Sequence, residues 1–269
     1  MKKIYWIIFM VLSVLVSCKK EQPSSDGTFQ RPSGGGGSTQ QGNIIYGAVM
    51  DIDGHVYDAV MIGNKTWMIQ NLKTTRFANG EEIPVSSANE VSEELPYRYL
   101  PNASSSNVAK YGYLYNWSAL MHGEESTGEN PSGVQGVCPV GWHVPSRAEW
   151  SQLVTYVGTQ SEHLCNGSRD NVAKALASTS GWQECSKQCA VGNDQSSNNS
   201  THFCAYPAGK GGGDISTNFG RDAYFWTCTE SAVWSGLVLD FELDYYSAVT
   251  YVGYGVHKQT AMAVRCVRD

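Results

Sequence analysis

The chain has no apolar run long enough to cross a bilayer as a helix: its longest, Ile4 to Val16, falls short of the roughly 20 residues that a span requires. It has no excess of basic residues, with 19 Lys and Arg against 25 Asp and Glu and a formal net charge of −6. That balance argues against nucleic acid or an anionic membrane face as a partner. Paired Cys-x2-Cys steps are missing, so Cys185, Cys189, His202 and Cys204 do not spell a structural zinc site despite their proximity. "GKGGG" at Gly209 to Gly213 lacks the following Ser or Thr of a phosphate loop and reads as a mobile turn. Asp51, Asp53 and Gly54 do not make an EF-hand, because the loop positions that need Gly and Glu hold Val56 and Ile62. Local spacing shows no Ser-His-Asp arrangement and no cofactor motif. No metal and no cofactor is therefore expected.

What is present begins at the N-terminus. Lys2 and Lys3 precede the short apolar run, which ends in Leu15, Val16, Ser17 and Cys18. This is the pattern of a bacterial lipoprotein signal over residues 1–17, with Cys18 as the acylated first residue of the exported chain. At ~0.8 kcal/mol per buried methylene, two or more acyl chains anchor a protein stably. Residues 18–43 are rich in Ser, Gly, Gln and Pro and read as a flexible tether. Residues 44–269 are long enough for one well-cored domain. Removing residues 1–17 deletes two lysines and no acid, leaving 17 bases against 25 acids, a net charge of −8. The cysteines other than Cys18 number seven, an odd count in a compartment that permits disulfides.

Local patterns predict several elements. Tyr46–Ile52, His55–Ile62 and Lys65–Ile69 are β-rich runs separated by Asp53-Gly54 and Gly63-Asn64, a strand meander. A strand is expected through Tyr111, Tyr113 and Tyr115, then a short helix from Trp117 to His122 capped by Asn116. A further helix is expected after Asp170 or Asn171, carrying Val172, Ala175 and Leu176. Leu237, Leu239, Phe241 and Leu243 alternate with small or polar residues, the chain turns at Asp244 to Ser247, and Val249 to Val256 returns as the second arm of a hairpin.

The stretch "CPVGWHVPSRAEW", residues 138–150, has the polar density of an active site. Its spacing argues for scaffold. Ser146 and Glu149 form a Ser-x-x-Glu capping box ahead of Trp150, Leu153, Val154 and Val157, the apolar face of a helix. Pro145 keeps Val144 extended. Local spacing places no nucleophile or carboxylate near His143, which reads as structural.

"DIDGHVYDAVMIGNKTWMIQNL", "YGYLYNWSAL", "GVCPVGWHVPSRAEWSQL", "STSGW", "FCAYPAGK", "FWTCTE" and "AVRCVRD" follow one another in that order. From about residue 48 to 269 the chain thereby resembles the Fibrobacter succinogenes major paralogous domain, a family of secreted and lipid-anchored bacterial proteins. That family is similar to the C-type lectin-like fold and to the sulfatase-modifying, formylglycine-generating proteins. The resemblance implies an α+β domain with two main helices packed on small twisted antiparallel β-sheets. It also implies a disulfide between Cys138 and Cys266; a weaker expectation pairs Cys204 with Cys228, each in an expected strand at a block where the family otherwise has small polar residues.

Three functions compete under this resemblance. A formylglycine-generating oxidase would need a copper-binding cysteine pair between "FWTCTE" and the last strand, and Ser231 to Ala263 contains no cysteine. This enzyme is the alternative reading. A calcium-dependent lectin would need Glu-Pro-Asn or Gln-Pro-Asp with Trp-Asn-Asp, and none is present; "ENP" at Glu129 to Pro131 reads as a turn. The third function, a calcium-independent binding or adhesion module, is expected. It would be lipid-anchored in the cell envelope, outer membrane by preference, and would recognise a glycan or protein. Trp234, Tyr245, Tyr246, Tyr251 and Tyr254 in and beside the final hairpin are the candidate contacts, since Trp and Tyr offer rigid contact area with a polar tip.

Overall fold

The structure, a computed structural model, describes residues 39–41, 43–86, 90–212 and 217–269. The signal segment and Cys18 lie outside the described residues. The meander forms as the turn dipeptides require: β2 (Ile44–Met50), β3 (Val56–Ile62) and β4 (Lys65–Met68) run antiparallel, with Ala59 opposite Met68 and Ile45 opposite Ala59. β1 (Thr39–Gln41) pairs with β2, so the last residues read as tether instead add an edge strand. Backbone hydrogen bonds suffice for such an edge, which composition cannot reveal. β11 (Val267–Arg268) pairs with β4 and completes a five-stranded sheet in the order β1-β2-β3-β4-β11.

A second, six-stranded sheet has the order β5-β6-β10-β7-β8-β9. Its strands are β5 (Arg98–Tyr99), β6 (Leu114–Tyr115), β7 (Asp222–Glu230), β8 (Leu237–Asp244), β9 (Thr250–His257) and β10 (Met262–Ala263). It is not wholly antiparallel, because β10 lies parallel to β7 at Ala263 and Phe225. Asp222 through Cys228 of β7 are all buried, so this strand is covered on both faces. On one face Trp226 meets Trp117 with ring centroids 5.7 Å apart. On the other, Phe225 and Phe241 meet Trp150 at 5.5 and 4.2 Å.

α1 (Val108–Tyr111) is a single turn that takes up Tyr111, so the expected strand shrinks to Leu114–Tyr115. Gly112 stops that turn at φ 73, a conformation favoured by glycine, and a Cβ there would lie 2.5 Å from the Leu72 carbonyl oxygen. α2 (Trp117–Met121) is capped by the Asn116 side chain, which accepts from Ala119 N. α3 (Arg147–Thr159) carries the expected capping box between Ser146 and Glu149 and buries Trp150, Leu153 and Val157. The expected second main helix is only α4 (Ala173–Leu176), one turn long. Ala177 leaves it in extended conformation to bridge Ala205, and Ser178 N donates to Ala205 O, so strand-like pairing ends the helix. Gly209, Lys210 and Gly211 form bridges to Ala223, Thr217 and Ala261 and thus pair rather than make a mobile turn.

Among the described residues, two paired disulfides and one buried cation join these parts. Cys138 and Cys266 form a disulfide that ties the approach to α3 to the last strand, and Cys165 pairs with Cys189. Cys228 is a free buried thiol, so the Cys204–Cys228 pairing is not formed. Its side chain on β7 faces the packed core with Trp226 and Val238. Arg265, 1 % exposed, donates to Asn71 Oδ1 and to the carbonyls of Met68, Phe203 and Cys204, while its guanidinium lies 4.5 Å from the Phe203 ring centroid.

Candidate functional site

The stretch from Cys138 to Trp150 lies beside a cleft of about 590 Å³ whose lining includes Ile62, Lys65, Trp67, Glu149, Leu153 and Tyr156. Its polar groups are engaged with one another. Glu149 Oε1 accepts from His143 Nε2 at 2.7 Å and Lys65 Nζ at 2.9 Å, and Oε2 accepts from Ser146 N at 2.9 Å and Ser132 N at 3.3 Å. Lys65 also pairs with Asp269. Burial would raise the Glu149 carboxyl, but the donors from His143, Ser146 and Lys65 together hold it below its ordinary value. His143 therefore has a carboxylate neighbour that local spacing did not place there. The arrangement is a buried clasp joining the start of α3 to β4 and the chain end, with no oxygen of Glu149 left over.

Asp51 and Asp53 are engaged in the same way. Asp51 accepts from the Asp53 and His55 amides, from His55 Nδ1 in one tautomer, and from Tyr57 OH. Asp53 accepts from Thr74, Thr75 and Arg76. Each of the four oxygens already has a donor.

The five hairpin aromatics do not form one patch. Trp234 is 50 % exposed in the turn before β8 and packs over Gly255, where a Cβ would lie 3.0 Å from its ring. Tyr245 and Tyr246 follow the other end of β8, a strand of 8 residues at ~3.3 Å each. Their rings are already faced by cations, Arg221 at 4.9 Å and Lys187 at 4.8 Å. A turn at each end of a strand cannot bring its residues together, and the sequence shows adjacency only along the chain. Tyr251 and Tyr254, with centroids 5.5 Å apart on β9, are the pair that the fold does bring together.

That pair borders residues that sequence reasoning passed over. Glu242 lies opposite both Tyr224 on β7 and Tyr251 on β9, and Asp240 lies opposite Trp226. A bulge in β9 sets Gly253 and Tyr254 against Asp240, between the Leu239–Gly255 and Phe241–Val252 pairs. Asp240 is 1 % exposed, yet neither of its carboxylate oxygens has a hydrogen-bond partner. Burial pushes its carboxyl up to about 7, tempered by the Lys210 ammonium and by the nearby backbone amides of Asp240 and Tyr254, neither of which meets its oxygens in hydrogen-bond geometry. Glu242 is likewise pushed up to about 7, by burial and then by Asp240 and Asp222. Lys210 Nζ sits 4.3 Å from the Tyr224 ring centroid, and Tyr224 OH donates to Asp222 Oδ2. The result is a sheet face that gathers buried acids, tyrosine rings and one ammonium.

The family model described as the Fibrobacter succinogenes major domain matches residues 60–268, from within β3 to within β11. The chain belongs to this family. The matched residues include the Asp240 face and, apart from Asp269, the Glu149 clasp. No curated protein and no solved structure matches the chain. Among the described residues of this family member, the free cysteines are Cys185 and Cys228. Cys185 Sγ lies 3.7 Å from Tyr245 O and Cys228 Sγ lies 3.7 Å from Thr127 O. Tyr245 N donates to Arg221 O, at the start of β7, whereas Cys228 stands near its end. Two thiols so placed do not converge on one metal. Cys189 is bound to Cys165, which removes it from any zinc set with Cys185.

Proposed function

We propose that the domain is a calcium-independent binding or adhesion module for a glycan or protein, using the face formed by Tyr251, Tyr254, Asp240 and Glu242. The observation that carries this reading is the unpartnered Asp240 beside an exposed tyrosine, since a fold selected for stability alone pairs its buried charges. The full domain extent, residues 44–269, its C-type lectin-like character, and its tethering to the bacterial outer membrane through acylated Cys18 belong to the same proposal. The lipoprotein signal pattern supports the anchor, and among the described residues no helix is long and apolar enough to cross a membrane. The formylglycine-generating alternative is disfavoured by the separation of Cys185 from Cys228.

Glycan and protein arrays probed with the chain test this function. Tyr254→Ala and Tyr251→Ala should weaken capture more than about tenfold, while Ser146→Ala should leave binding per folded molecule unchanged. Capture lost with His143→Ala in a folded protein, and kept in both tyrosine variants, would move the site to the α3 clasp.

A further inference from the structure

We infer that the sheet face carrying Tyr251, Tyr254 and the Asp240–Glu242 pair takes a primary alkylammonium group, its charge against Asp240 and its methylene stem along the exposed Tyr254 ring. This inference rests on the reading of that face as the binding site and names the chemistry it accepts.

Asp240 and Glu242 are two residues apart on β8 and share a face with Tyr224 and Trp226 on one side and Tyr251 on the other. The Tyr254 ring is in contact with that of Tyr251 and so stands over the same face. The charged groups acting on this face are Asp222, Asp240, Glu242, Asp244 and Lys210. Acids thus outnumber the one ammonium, and Lys210 is committed to the Tyr224 ring. An incoming cation would give Asp240 the partner it lacks. The Lys210–Tyr224 contact shows the packing involved: an ammonium over a tyrosine face beside carboxylates.

Shape and donor geometry narrow the cation. Among the described residues, three metal-capable groups converge only at Asp51, Asp53 and His55 and at His143, Glu149 and Asp269, so Asp240 has no set of three oxygens preplaced for a divalent ion. A planar guanidinium is broad for a carboxylate that is 1 % exposed. A compact ammonium on a slender stem can reach it, and the exposed Tyr254 ring suits the methylenes. A free polyamine and a lysine side chain share this chemistry.

Titration calorimetry of the full chain with cadaverine, and separately with a doubly blocked lysine bearing a free ε-amine, tests the assignment. Saturable binding of either is expected; cadaverine alone would indicate free polyamines and the lysine compound a peptide source. Pentanediol and the ε-acetylated lysine should not bind. Asp240→Asn should weaken binding by about tenfold or more, while its Tm at pH 8 holds or rises because a buried charge is removed. Tyr254→Ala, at an exposed ring, should weaken binding with Tm unchanged and guards against a folding defect in the first variant. No saturable binding of either amine, equal binding of the neutral controls, or tighter Asp240-dependent binding of calcium would overturn the assignment. If arrays show a ligand captured through Tyr254 while both amines fail, the binding-module reading stands and the ammonium chemistry falls.

Discussion

Raising the pH from 5 to 8 should destabilise the domain, with Asp240 as the main cause. Its carboxyl is pushed up to about 7 in the folded chain from an ordinary value of 3.8. Between those values the folded state keeps a proton that the unfolded state has released, so stability falls as pH rises through the window. Below about 4 both states hold the proton, and above about 7 both have released it. At ~1.4 kcal/mol per pH unit the whole window is worth an upper figure of about 4 kcal/mol, roughly 3 of it between pH 5 and 8. Glu242, pushed up to about 7 by burial and then by Asp240 and Asp222, loses stability in the same direction. Part of that shift comes from Asp240, so Asp240→Asn relieves both groups. Asp53 has the opposite sign: hydrogen bonds from Thr75, Arg76 and Thr74 outweigh its burial and lower it to about 2. Its contribution is in place above its ordinary 3.8 and is lost as pH falls toward 2. Urea midpoints measured from pH 5 to 8 should fall for the natural chain and run flatter for Asp240→Asn, with the variant the more stable at pH 8. A natural chain equally stable at both ends, or a variant with the same slope, would refute the claim that Asp240 is buried without a partner.

Arg265→Lys should cost about 3 kcal/mol or more in chemical denaturation, because an ammonium cannot span Asn71 and the Met68, Phe203 and Cys204 carbonyls together; a loss under 1 kcal/mol would show that those carbonyls find other donors. In the native protein at pH 8, iodoacetamide should label half-buried Cys185 and spare Cys228, whose thiol is buried and pushed up to about 12. Labelling of Cys228 at the rate of Cys185 would mean that β7 opens readily at this end.

The sequence by itself determined the elements whose causes are local. The capping box joins Ser146 to Glu149 within one helical turn, Asn116 caps α2 through Ala119, and two turn dipeptides set the β2-β3-β4 meander. The alternation along Leu237 to Asp244 likewise sufficed for β8, because a strand's side-chain period is carried in the strand itself. Tertiary structure decided what those side chains meet. Glu149 reads in sequence as a cap alone; Lys65 reaches it from β4, which no spacing near residue 149 encodes. Asp240 occupies the polar phase of an amphipathic pattern, the phase that faces water when a sheet is covered on one side only. Here Trp226 and Val238 bring the core cluster as far as Asp240, which is buried with it, while Glu242 and Tyr251 beyond it stay half-buried and Tyr254 exposed. Alternation records which residues share a face of a strand; whether another layer covers that face depends on segments far away in the chain, and at Asp240 that covering turned a surface acid into an unpaired buried one.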